Sequence, residues 1–348
     1  MELNDVDRRI WEEELSAFVP ARVFDAHTHV YRWAFNLDPH KETGAYKSLL
    51  GEEYADATWE LANRVDQALM PGREVHRLSF PFPFQHPCDF AASNAFIASE
   101  TAKDPQSAAL MLVHPGMTAE EIERDLDRHR YLGFKPYRFY SSTGDAVDCR
   151  LTDFMPEHQI AIAHRRKLII MMHLAKRDAI ADRDNQTDLV RLCEKYPNVR
   201  WILAHCARSY SSWAIEQAAA TLRKLPNVWY DTSSVCESDA MDALYNGVGC
   251  DRVMYGSDDI PIGVLRGKYI AFGYAWAYLS EKNQSLNLSH CDARMTFTRY
   301  EQLRAMQRAA RRLGMTPAQN QALFYDTAAA LIDSTRKLAP VSQRPGRV

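Results

Sequence analysis

Four short apolar runs in this chain each stop at a residue type that ligates metal ions. Val23-Phe24-Asp25-Ala26 leads into His27-Thr28-His29. Ile169-Ile170-Met171-Met172 leads into His173, Trp201-Ile202-Leu203-Ala204 into His205, and Val253-Met254-Tyr255-Gly256-Ser257 into Asp258. Runs of this length and composition read as short strands. Side chains alternate faces along a strand, so positions 27 and 29 point the same way and can grip one ion from one side. A His-x-His pair alone carries little weight, because a lone histidine is more often a satisfied structural residue. Four strand ends of one kind require a fold that gathers the C-terminal ends of its strands.

The remaining pattern supplies such a fold. Strands are expected over about 22–26, 75–80, 108–113, 133–140, 168–172, 199–204, 228–231 and 253–256. Helical patterns lie between them, over about 53–69, 91–101, 153–166, 212–224 and 239–246. Two more are marked by caps, the box Thr118-Ala119-Glu120-Glu121 and Thr187 ahead of Leu189, Leu192, Cys193 and Tyr196. The later strands recur at roughly thirty-residue intervals, the rhythm of βαβ units in a parallel sheet. Eight such units close into an α/β (β/α)8 TIM barrel, with reacting residues at the strand C-terminal ends. An open doubly wound sheet would want a glycine-rich loop after the first strand, and Val30-Tyr31-Arg32 follows His29 instead. We read residues 1–348 as a single domain, with a helix over 5–17, a barrel core over about 22–295 and C-terminal helices over about 297–335. No strand is expected beyond residue 256. The long connection after His29, with Tyr31, Trp33, Phe35, Pro39 and Gly44, has the length of a lid or binding loop.

Composition narrows the partners. A net charge of -3 argues against nucleic acid or an anionic membrane as the main partner. No apolar run is long enough to span a bilayer, and the polar, acidic start is unlike a secretory signal. The 7 cysteines form no CxxC pair, which favours reduced thiols in a cytoplasmic protein. The expected partner is a small-molecule substrate, and a homo-oligomer is left open.

With these residues in view, the chain resembles the amidohydrolase superfamily, in particular the amidohydrolase-related group that includes carboxymuconate-semialdehyde and resorcylate-type decarboxylases. The resemblance rests on Phe24-Asp25-Ala26-His27-Thr28-His29, Gly133-Phe134-Lys135, His173, Leu203-Ala204-His205 and Tyr255-Gly256-Ser257-Asp258, in that order. It implies a metal-bearing barrel in which His27, His29, His173 and Asp258 hold one divalent ion. His205 would be catalytic, would support the ligands, or would be a ligand itself, as in some members of the family. Phe324-Tyr325-Asp326-Thr327-Ala328 departs from the Asn-Ala pair often found near the end of such chains.

The chemistry of the residues agrees. Three imidazoles and a carboxylate suit Zn²⁺, and such mixed sites also accept Mn²⁺ or Fe²⁺. Asp258 can take a proton from water, and His205 can stabilise charge that develops on a carbonyl oxygen. Arg138, Arg177 and Arg208, near strand ends, can bind a substrate carboxylate, and His86 and His114 follow the second and third strands. Lys135 reads as a lysine buried early in its strand, and Asp259 as pointing away from the metal. Three functions follow: a metal-dependent hydrolase of a C–N or C–O bond, a non-oxidative decarboxylase, or a barrel that has lost its chemistry. The intact ligand set counts against the third.

Overall fold

The computed structural model describes residues 1–38, 54–85, 87–280 and 288–338. Among them, eight parallel strands form a barrel: β1 (Arg22–His29), β2 (Glu74–Phe80), β3 (Ala108–Ala109 and Met111–Val113, interrupted at Leu110), β4 (Gly133–Pro136), β5 (Ile169–Met172), β6 (Arg200–Leu203), β7 (Val228–Asp231) and β8 (Val253–Met254). Each pairs with its neighbour in chain order. The seam between β8 and β1 is closed by backbone bonds, Ala26 N–H to Tyr255 O and Asp258 N–H to His27 O, each 2.9 Å. Helices follow β1 to β7 in turn: α1 (Trp59–Leu69), α2 (Phe90–Thr101), α3 (Ala119–Arg128), α4 (Glu157–Arg166), α5 (Arg183–Lys195), α6 (Ser212–Leu222) and α7 (Ser238–Val248). α8 (Thr298–Arg312) comes after β8. No helix among the described residues is long and apolar enough to cross a membrane.

The barrel interior is layered. Phe24, Ala26, Leu78, Phe80, Leu110, Ile169, Met171, Ile202 and Met254 pack into one cluster, at alternate positions along their strands. Tyr325, Ala328, Leu331 and Ile332 from the C-terminal segment join the same cluster and plug one end. Burial of such side chains contributes roughly 1.5–3 kcal/mol each. The polar residues lie at the other end, above this plug.

Several sequence expectations need correction. β4 stops at Pro136, whose missing N–H ends its use as a central strand, and residues Arg138–Tyr140 form a 3-10 turn. The helix over 153–166 is two, Leu151–Phe154 and α4, separated at Met155-Pro156. α5 starts a turn earlier than Thr187, at Asp182, whose side chain accepts the N–H groups of Asp184 and Asn185. A hairpin does follow β8: β9 (Gly267–Phe272) and β10 (Ala275–Ser280), antiparallel across Gly273-Tyr274. Its signal was the alternation Tyr269, Ala271 and Trp276, Tyr278 on one face. Thr118 and Glu121 form the expected capping box, and Thr316 caps the helix that Pro317 begins. Pro39, Gly44 and His86 lie outside the described residues.

Candidate metal centre

β1 carries a register shift between Asp25 and Thr28. Such a bulge inserts one residue and turns the side chains that follow. Below it, Phe24 and Ala26 face the barrel interior; above it, His27 and His29 do. Asp25 is therefore not on the barrel-facing side with His27, as strict alternation implies. It turns to the wall behind, where its Oδ1 accepts the N–H groups of His27 (3.1 Å) and Ser257 (2.9 Å). Gly256 makes room for this crossing, since a Cβ there would lie 2.8 Å from that of His27.

His27 Nε2 and His29 Nε2 stand 3.3 and 3.4 Å from Asp258 Oδ1, and all three residues are buried. Asp258 reaches in from a left-handed backbone, φ 62°. Its neighbour Asp259 turns away into an ion pair with Arg299 of α8, which also binds Asp66 at 2.5 Å. His27 Nε2 has no hydrogen-bond partner, although it is buried. A buried lone pair aimed at a carboxylate oxygen and a second imidazole is costly unless something positive sits between them. Two imidazoles and one carboxylate are also the donor set of a three-ligand catalytic site with open positions. The residues therefore fit a divalent ion.

The electrostatics point the same way. Burial keeps the His27 imidazole neutral, pushing it down to about 3, and Lys135 adds to this. Burial also lowers His29. Burial alone would raise the Asp258 carboxyl, but His205, His27 and His29 outweigh it and hold it down to about 2. The ligating atoms are thus in the protonation states that a metal requires.

β6 alternates so that Ile202 and Ala204 face inward, which would send residue 205 out into the wall. Instead His205, Cys206, Ala207 and Arg208 all adopt left-handed backbone, with φ of 58°, 52°, 59° and 56°. That turn carries the His205 ring to 4.9 Å from the His27 ring. His205 Nδ1 faces Ser233 O at 3.0 Å, so it donates and leaves Nε2 to the site. His173 packs one ring further on, 5.1 Å from His205 and 5.6 Å from Tyr137. Among the described residues, two triplets bring ligand atoms within 4.8 Å of one another: His27, His29 and Asp258, and His27, His205 and Asp231. His173 is in neither.

Asp231 had no assigned role in the sequence. Its signal was present, because Val228-Trp229-Tyr230 also stops at a carboxylate. Lys135 is the third of the four residues in β4, not early in a long strand. Its Nζ lies 4.4 Å from the Phe80 ring centre and 5.0 Å from that of Tyr137, with no hydrogen-bond partner. Burial lowers it to about 7 against the pull of Asp231 and Asp258. Arg208 donates to Lys176 O at 2.5 Å and Ala175 O at 3.3 Å, in the loop after His173, and lies over Trp276 of β10. Burial, then Arg138, lowers it to about 10. Arg138 lies over Phe139 and donates to Ala146 O at 2.5 Å. His114 packs 4.4 Å from Phe90, and its Nδ1 accepts the Gly116 N–H at 3.2 Å, beside the loop it closes.

A closed (β/α)8 barrel with two imidazoles and a carboxylate converging at the C-terminal ends of its strands defines a class of metal-site scaffold. The chain belongs to the amidohydrolase family, whose model matches residues 24–333. No curated protein matches it by sequence. Among solved structures it is similar to an amidohydrolase from Burkholderia multivorans with bound zinc, at 17% identity and a TM-score of 0.59, over 90% of this chain and 99% of that one. It is also similar to 5-carboxyvanillate decarboxylase from Sphingomonas paucimobilis (14%, TM-score 0.56, over 90% and 99%). A third is 4-oxalomesaconate hydratase from Rhodopseudomonas palustris (14%, TM-score 0.52, over 90% and 98%). At such identities the likeness is one of fold.

Proposed function

We propose that this protein is a metal-dependent hydrolase that cleaves a C–N or C–O bond (an amide, lactone or ester) in a small organic molecule, with Zn²⁺ as its ion. The observation that carries the reading is the convergence of His27 Nε2, His29 Nε2 and an ionised Asp258 oxygen at the barrel mouth. When bound, the ion supplies a Lewis acid and brings the pKa of its water to about 7. Asp258, ionised at neutral pH, is the base that receives the water's proton and passes it to the leaving group. His205, its Nδ1–H held by Ser233 O, turns Nε2 toward the reacting carbonyl and stabilises charge on that oxygen through a proton carried on Nε2. His173 stands beside it as a further ligand or substrate contact. Arg208 and Arg138, both acting on His173 electrostatically, would hold an anionic group of the substrate at the outer edge.

A non-oxidative decarboxylase would use the same ligand set, so the reaction itself has to be followed. The test is a screen of the zinc-loaded protein on small carboxylate-bearing lactones, esters and amides, and on aromatic acids, following both bond hydrolysis and carbon dioxide release. Hydrolysis without carbon dioxide supports the proposal. Carbon dioxide release alone would replace it with a decarboxylase.

A further inference from the structure

Asp231 ends β7 fully buried, and among the described residues its side chain forms no ion pair with Lys or Arg. A buried carboxylate is expensive without partners. Its partners are four hydrogen bonds, all to the site. Oδ2 accepts from His27 Nδ1 at 3.0 Å. Oδ1 accepts from the His205 N–H at 3.0 Å, the Ser233 N–H at 3.1 Å and the Ser233 hydroxyl. An ionised carboxylate only accepts, so the proton of this contact belongs to His27 Nδ1. The lone pair of His27 is then on Nε2, the atom that lacks a partner and faces Asp258. The second arm grips the first residue of the left-handed turn. Each residue of that turn sits in a conformation that L-amino acids disfavour, so it needs an anchor. Without it, β6 would aim His205 into the wall and Arg208 away from the loop after His173.

We infer that Asp231 is the positioning residue of the metal centre, fixing the metal-binding tautomer of His27 and anchoring the turn that presents His205 and Arg208. This rests on the metal-site reading above. The nearby triplet His27, His205 and Asp231 offers an alternative, in which Asp231 is itself a ligand. The first reading spends Asp231 Oδ2 on a hydrogen bond; the second does not.

The test is competitive Zn²⁺ titration of the full chain against a chromogenic chelator, paired with the visible spectrum of the Co²⁺-loaded protein, which reports ligand number and type. The proteins are the parent, Asp231→Asn, Ser233→Ala and, as a ligand control, Asp258→Asn. We expect Asp231→Asn to weaken zinc about 10- to 100-fold, the range for partners behind a ligating histidine, with the parent's Co²⁺ spectrum retained. Ser233→Ala should weaken it several-fold. Asp258→Asn should change the spectrum. Unchanged affinity in both Asp231→Asn and Ser233→Ala would overturn the inference and leave the metal site standing. So would an Asp231→Asn spectrum altered in the manner of Asp258→Asn, which would make Asp231 a ligand. Should Asp231→Asn not fold, Asp231→Ser takes its place with the same expectations, because the Ser233 hydroxyl itself lies 3.1 Å from His27 Nδ1 and 2.9 Å from His205 Nδ1. A parent that binds neither ion defeats both this inference and the proposed function.

Discussion

Asp258, His205 and Lys135 share one small volume and carry three separate predictions. Asp258→Asn keeps size and one ligand oxygen but cannot act as a base at neutral pH. Turnover should fall on the order of 10²–10⁴-fold while zinc, measured by elemental analysis, stays bound. His205→Ala should lose about 2.7–4 kcal/mol of transition-state stabilisation, seen in kcat, with zinc affinity close to the parent's. A joint loss of affinity and turnover would make His205 a ligand. Lys135 sets a pH dependence. Its ammonium loses its proton at about 7 in the folded barrel, against 10.5 unfolded, so between those values the unfolded chain binds more protons. The cost of burying this ammonium is thus fully present below about pH 7 and relieved as pH rises to about 10.5. Lys135→Met should stabilise the apo-protein by on the order of a few kcal/mol in urea melts at pH 7, and the gain should vanish near pH 10. Which residue types form the site was legible from the strand ends. Asp231 was equally visible as the end of an apolar run, but its work depends on partners 204 and 26 positions away along the chain, which no local pattern announces.

The strands and helices were largely legible because their signals are local, in apolar runs such as that of β5 and in caps such as Thr118. What escaped were departures from period. The bulge in β1, the left-handed turn after β6 and the truncation of β4 each re-aim a side chain, and each is decided by packing against a neighbouring strand. The β9–β10 hairpin escaped because it lies after the last βαβ unit, where the rhythm of the barrel gives no place to an antiparallel pair. It contributes the Trp276 and Tyr269 rings, which pack 5.3 and 4.6 Å from Tyr210, itself 6.1 Å from the His205 ring. One prediction belongs to a helix end. Lys167 closes α4 in left-handed backbone, φ 57°, with its N–H on Ala163 O and His164 O. Glycine is the residue that such a C-terminal position favours, so Lys167→Gly should stabilise the protein by about 1 kcal/mol, read from the urea midpoint.

At the scale of the molecule, the barrel divides its labour along its axis. The interior toward the strand N-terminal ends is apolar and plugged by the C-terminal segment; the opposite end gathers two buried carboxylates, Asp231 and Asp258, beside His27, which burial keeps neutral. Zinc should therefore bind the native chain and not the unfolded one. At free zinc 100-fold above its Kd, folding stability should rise by about 2.7 kcal/mol, and a chelator should reverse it. Denaturant melts with and without zinc measure this, and equal midpoints would contradict the site. The bulge in β1 gives the same division a hereditary meaning. Substitutions that let β1 run straight with no residue lost would restore strict alternation, keep both histidines in the sequence, and turn their rings out of the barrel. The gene would still encode every ligand, and the lineage would have lost its metal through a change of phase.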